Sequence, residues 1–405
     1  MWCCALHIQA QRHVVYSPDV KSLQVVAGQQ WQEMPVIQLG GSEAINISFD
    51  WLSHEYQHFT YSVKHLEADW TTSDELLTTD FAEGFTEDIR INSDEQSILT
   101  AQNYTHYSFS IPDDDRCQLT LSGNYRVDVM RDAEGHDTPD TVLTAFFMLN
   151  EATAPLEMRR LDNTDIDVQK SHQQVELSLD YSAFSTIRPR EQFKGYVLQN
   201  GRWSSARQLP EAPIITQDRL KWEHCRPLIF EAGNEHHKFE MLDIHRNSLG
   251  VETTEWDGKV WHANLYVDTP RPSYVYDESA RGSFYIRNSD NTENDISSEY
   301  VTVHFHLKSP KLPYPIYVNG QWTEDSFLPE YQMHYDAHAE EYTVGIPLKY
   351  GYYSYQYLML KPNGTTEIPP TEGSFYQTSN KYTALIYYRG TTDRADRLVG
   401  VKTIQ

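Results

Sequence analysis

Cysteine is scarce in this chain, with four in 405 residues. A disulfide framework therefore cannot be what holds the fold together. Two of the four, Cys3 and Cys4, sit at the extreme start, which leaves Cys117 and Cys225, expected in different domains. Spacing decides nothing between a pair and two free thiols, and the free state is the expectation. Basic residues are also short: 33 Lys and Arg against 58 Asp and Glu give a net charge of −25. That balance excludes nucleic acid and anionic membrane surfaces as partners, because both need clustered cations to displace counterions. No run reaches the roughly 18–20 consecutive apolar residues of a membrane helix, so the mature protein is expected to be soluble. Nucleophile-elbow, phosphate-loop, zinc-protease and dinucleotide patterns are all missing. No catalytic, cofactor-binding or metal residue is assigned, and the protein is expected not to be an enzyme.

Aromatics are abundant: 27 Tyr, 15 Phe and 9 Trp make up 13% of the residues, enough to fill several cores. They fall in short alternating segments separated by turn residues, with no long stretch of helical period. In Tyr125-Arg126-Val127-Asp128-Val129 the apolar side chains share one face, after a Gly123-Asn124 turn. Further strands are expected at 45–49, 59–63, 107–111 and 142–149, with 73–84 a loop or one short helix. The pattern predicts an all-β chain of tandem antiparallel, immunoglobulin-like β-sandwiches. Residues 1–11 look like the tail of a truncated signal peptide. Breaks near Ala152 and in the polar stretch Arg287 to Glu299 then predict a first domain at 12–151, a second at 152–294 and a third at 295–405. Asn200-Gly201-Arg202-Trp203 reads as a hairpin turn. Asn319-Gly320-Gln321-Trp322 echoes it, which is either a repeated module or chance reuse of a common turn. Asn363-Gly364 is a third hairpin signal.

Three constellations invite chemistry. His304 and His306 share a strand face, His236 and His237 are adjacent, and His334 and His338 are four apart, but none has the spacing of a structural zinc site. Asp113-Asp114-Asp115 lacks the alternating ligands and glycine of a calcium loop and reads as a solvated turn. Trp203, Trp256, Trp261 and Trp322, with the tyrosines from Tyr350 to Tyr357, would form a glycan platform if exposed and core filling if turned inward. A glycan-binding periplasmic or surface protein is thus the alternative functional reading.

Two groups of residues, taken in order, carry a family resemblance. The first is His65, Asp69, Trp70 and Ser73, then Asn103 and Tyr107, then Ser122, Gly123, Asn124 and Tyr125. The second is Glu372, Gly373, Thr378, Asn380 and Tyr382, followed by Asp396, Arg397 and Leu398. Across nearly its whole length the chain resembles the plug proteins of the Bacteroidota type IX secretion system. It departs at Leu66, where the family often has cysteine, so a redox feature shared at that point is in doubt. The resemblance implies a periplasmic protein at the inner face of the outer membrane. Its implied partner is the large outer-membrane β-barrel translocon, which it would bind and seal when no cargo passes, without cofactor or membrane insertion. The motif residues are expected to shape cores and turns rather than the contact surface.

Overall fold

A computed structural model describes residues 12–113, 115–132, 139–246 and 248–405. The signal-like segment, Cys3, Cys4 and Asp114 lie outside the described residues. The described chain is almost entirely β, in antiparallel sheets that pack in pairs around three main apolar cores. Two pairings depart from the antiparallel expectation. Val36–Gln38 runs parallel to Asp140–Asn150, and Trp261–Leu265 runs parallel to Tyr300–Lys308.

In the first unit one sheet is centred on Gly123–Arg131, which pairs with Phe59–Leu66 and Asp140–Asn150. The facing sheet holds Val20–Ala27, Ile45–Trp51, Thr105–Ile111 and Ser93–Gln96. Because side chains alternate along a strand, Tyr125, Val127 and Val129 all point inward, and each is fully buried. Tyr125 stacks on Phe147 with ring centroids 5.2 Å apart, while Tyr107 stacks on Phe49 at 5.5 Å. Within 73–84 only Thr78–Phe81 forms a helical turn.

The expected division into 152–294 and 295–405 does not follow the sheets. Phe193–Gln199 pairs on one side with Arg202–Gln208 and on the other with Tyr382–Tyr388, which in turn pairs with Arg397–Ile404. The last two strands therefore close the second unit. Its core joins Val175, Leu177 and Trp222 to Tyr382, Ile386 and Val399. The third unit is built from His237–Met241 through Thr366–Glu367, around Phe239, Phe305, Trp322, Tyr353 and Tyr357. It is inserted between two halves of the second. Alternation identifies a strand but not its neighbour, which is why the boundary was misplaced.

The Asn200-Gly201 turn is a two-residue hairpin with both residues at positive φ, 54° and 69°, joining Gln199 to Arg202. Those angles are what a turn matching the right-handed strand twist requires. The echo at Asn319-Gly320 is not a hairpin. Gly320 is extended, and Gln321–Thr323 forms a 3-10 turn that carries Trp322 into the third core. The Trp322 indole N–H donates to the Ser354 carbonyl at 3.1 Å. The similarity is therefore one of residues and not of structure.

Candidate functional site

The first motif group gathers where the first unit meets the second. His65 lies on Phe59–Leu66, with Nδ1 2.8 Å from Ser73 Oγ and Nε2 3.1 Å from the Ser122 carbonyl. Burial pushes its pKa down to about 4, so the ring is neutral at pH 7. A carbonyl only accepts, so Nε2–H donates to Ser122 and Nδ1 accepts from the Ser73 hydroxyl. Gly123 is held at φ +147°, and a Cβ there would lie 2.3 Å from His65 Nε2. Gly123→Ala is accordingly expected to cost roughly 1–3 kcal/mol by overpacking. Urea denaturation checks this, and a loss no larger than that of an exposed Gly40→Ala control would count against it.

Beyond the imidazole, the same strand reaches across to the second unit. Asn124 donates through Nδ2 to the Glu67 carbonyl at 2.8 Å and accepts from the Tyr387 hydroxyl at 2.7 Å. Ser122 Oγ donates to Glu151, whose two oxygens also take Arg397 Nη1 at 2.9 and 3.0 Å. Asp396 accepts from the Ala68 amide at 3.2 Å and from Lys194 Nζ. Trp70, at φ +68°, sets its ring edge-on against Phe146 and Trp203, 5.6 and 5.1 Å away. Asp69 stabilises the preceding turn by accepting from the Thr71 amide and hydroxyl. Tyr107 and Tyr125 belong to the first core, and Asn103 is exposed.

Within the second motif group, Glu372 ties the second unit to the third. Glu372, 2% exposed, accepts from His237 Nε2 at 2.9 Å and from Arg271. His237 Nδ1 lies 2.9 Å from Asp268, which also takes the Tyr355 and Tyr357 hydroxyls at 2.8 and 2.7 Å. Burial alone would lower the His237 pKa, but the flanking carboxylates outweigh it and raise it to about 9. The ring is therefore an imidazolium donating from both nitrogens. Gly373 turns the chain at φ +70°, with no room for a Cβ beside Phe375 and the Arg271 carbonyl. Thr378 donates to the Gly233 carbonyl, Asn380 to Gln173 and the Ala232 carbonyl, and the Tyr382 hydroxyl to Gln173.

A third junction, between the first and third units, is made by residues no motif flagged. Lys349 Nζ lies 2.7 Å from Asp50 Oδ2, the two side chains being 1% and 0% exposed. Tyr300 donates to the same carboxylate at 2.6 Å, and His106 Nδ1 lies 2.7 Å from its other oxygen. Burial pushes the Asp50 pKa up, but Lys349 and His106 prevail and hold it below the ordinary carboxylate value. Glu299 takes the Ala101 and Gln102 amides, and Tyr104 donates to the Ser298 carbonyl. Each unit thus touches both others, and each junction contains a buried or half-buried ionic or polar cluster.

Residues 20–151 match the family model described as "Type 9 secretion system plug protein 1st domain". The chain belongs to the type IX secretion system plug family. It is also similar to a hypothetical protein of Parabacteroides merdae known from a crystal structure. The two are 33% identical and superpose with a TM-score of 0.92 over 98% of this chain and 99% of that one. No curated protein matches. The family ties the chain to type IX secretion.

Other constellations in this plug-family chain have ordinary roles. His304 Nε2 pairs with His262 Nδ1 at 2.8 Å, while His306 pairs with Glu341. Among the described residues no group of three or more His, Cys, Asp or Glu is placed to hold a metal. Asp113 caps its own turn, accepting from the Asp115 amide. Cys117 and Cys225 are both free and buried, in the first and second cores. The glycan platform does not form. Trp322, Tyr353, Tyr355 and Tyr357 fill the third core, Trp203 packs at the first junction, and of the four tryptophans only Trp256 is largely exposed. Strand alternation turned these rings inward, which removes the basis for the glycan reading. Sequence reasoning missed Asp50, Lys349, Asp268 and Arg271, and singled out His237 only as the neighbour of His236, because partners so far apart in the chain leave no local pattern.

A cavity of about 120 Å³ takes its walls from all three units. Trp31, Trp70, Phe146, Trp203 and Phe284 supply aromatic surface, with Arg202 and Glu324 among its polar groups. No helix among the described residues is long and apolar enough to cross a membrane.

Proposed function

We propose that this protein is a non-enzymatic periplasmic plug, which binds the large outer-membrane β-barrel translocon of type IX secretion and seals it between cargoes. The match of residues 20–151 to the plug family carries the reading. A barrel wide enough for folded cargo leaks solutes unless a stopper covers it, and the stopper must hold its shape against the opening. The triangular bracing supports that demand: with each unit fastened to both others, no single hinge lets one swing away. The net charge of −25 favours a polar, reversible contact with electrostatic steering over a permanent apolar one.

Affinity capture of the tagged protein from detergent-solubilised envelopes, followed by mass spectrometry, tests the proposal. A very large outer-membrane barrel is expected to co-purify, and capture should weaken as ionic strength rises. Recovery of no barrel at low salt would sink the reading.

A further inference from the structure

We propose that the cavity at the meeting point of the three units binds a small organic carboxylate with a compact apolar body. Its volume of about 120 Å³ is close to that of the roughly 150 Å³ apolar cavity known to hold benzene. Aromatic walls from the first and second units suit a ring or a branched chain of that size.

The charge requirement comes from Arg202. Three arginines line the cavity, and two of them have strong protein acceptors or a carboxylate close by. Arg281 Nε donates to the Ser379 carbonyl at 2.6 Å, and Arg12 Nε lies 3.8 Å from Asp325. Arg202 has no carboxylate within 4.0 Å among the described residues. Its bonds are to amides: Gln199 at 3.5 Å, and Gln356 at 3.3 Å once the latter amide is oriented to satisfy both partners. Asp325 is already engaged by the Ser204 amide and hydroxyl and by Asn319. Arg202 is partly withdrawn from water, with amides as its direct partners and Asp325 acting on it only from a distance, and burial pushes its pKa down. A planar carboxylate is the partner its fork geometry matches.

A second observation points to a ligand independently. His236, 4% exposed, lines the cavity, and its Nε2 has no hydrogen-bond partner. Burial keeps this ring neutral, and in the tautomer that carries its proton on Nε2 the ring donates to an incoming oxygen. Glu324 also lines the cavity with no cation paired to it among the described residues, and burial pushes its carboxyl well above the ordinary range. In its protonated form this carboxyl donates to an anion instead of repelling it. A groove of about 650 Å³ shares Trp31 and Arg281 with the cavity. The carboxylate is that of a free acid or of a peptide C-terminus, the chemistry being the same.

The test is titration of the full chain with benzoate and its neutral isostere benzamide, and with Ala-Ala-Ala-Phe and its C-terminal amide. Quenching of the cavity tryptophans and thermal midpoints are the readouts. Benzoate, the free-acid peptide or both should bind saturably, each amide at least roughly tenfold more weakly, as loss of a charge-assisted bond implies. Benzoate alone identifies a free acid as ligand, and the peptide identifies a chain terminus. Arg202→Gln should weaken binding about tenfold or more, whereas Glu324→Gln should retain it. Val25→Phe, which fills the cavity without touching its polar groups, should abolish binding even if Arg202→Gln fails to fold. Equal affinity for acid and amide, no binding of either acid, or binding that survives Val25→Phe would each overturn the proposal. None of these outcomes depends on whether the chain captures a barrel.

Discussion

Lys349→Met is expected to destabilise the protein by about 3–5 kcal/mol, the cost of leaving a buried charge without its partner. Lys349 Nζ contacts Asp50 at 2.7 Å and the Asp295 carbonyl at 2.5 Å, and sits 4.2 Å above the Tyr104 ring. Methionine fills the aliphatic space but leaves the Asp50 carboxylate fully buried between Tyr300 and His106. Removing that charge as well, in Asp50→Asn/Lys349→Met, should recover much of the loss, because no buried carboxylate is then left without its cation. Urea denaturation of the four proteins of the cycle measures this. A single variant within 1 kcal/mol of wild type, or a double variant no better than the single, would show that the pair is not what braces this junction. Since the folded Asp50 pKa lies below its ordinary value, its stabilisation is present above the unfolded pKa near 3.8 and is lost as pH falls through the folded one.

The largest pH effect on the alkaline side should come from His237. Its folded pKa of about 9 lies above the ordinary 6.5. The imidazolium therefore contributes fully below pH 6.5, and the contribution disappears as pH rises through 9. The difference corresponds to about 3 kcal/mol. Wild-type protein should lose stability across that interval, whereas His237→Gln should begin less stable and show a flatter profile there. Urea midpoints at pH 6, 7.5 and 9.5 for both proteins suffice, and parallel profiles would refute the assignment. The effect should concentrate at the junction of the second and third units, where Glu372 and Arg271 share the site.

What could be read from the sequence was local. Tyr125, Val127 and Val129 announced an inward face, and Asn200-Gly201 its hairpin, because pleat and turn chemistry act over a few residues. Choice of partner was not legible. Tyr382–Tyr388 reads as a strand by itself, but nothing in it states that its neighbour is Phe193–Gln199. The family motifs marked residues such as Ser122, Asn124, Glu372 and Asp396 without indicating their shared task. They were expected in cores and turns; Tyr107, Tyr125 and Tyr382 lie in cores and Asp69 holds a turn, whereas Trp70, Asn124, Glu372, Asp396 and Arg397 make contacts between units. Asp50 and Lys349 lie 299 positions apart, so only the folded chain reveals them as a pair. The cavity takes its walls from all three units, and no segment alone contains it.

The nesting of the third unit within the second also sets an order of events for a chain emerging amino end first. The 237–367 segment holds all the strands of its own two sheets and can complete itself early. The second unit cannot. Phe193–Gln199, with six of its seven residues buried in the finished structure, keeps an open, apolar edge until Tyr382–Tyr388 arrives to cover it. Such an edge invites pairing with other chains. A newly made molecule is therefore most vulnerable after most of its length is already in place, and the interval ends only when its last two strands dock.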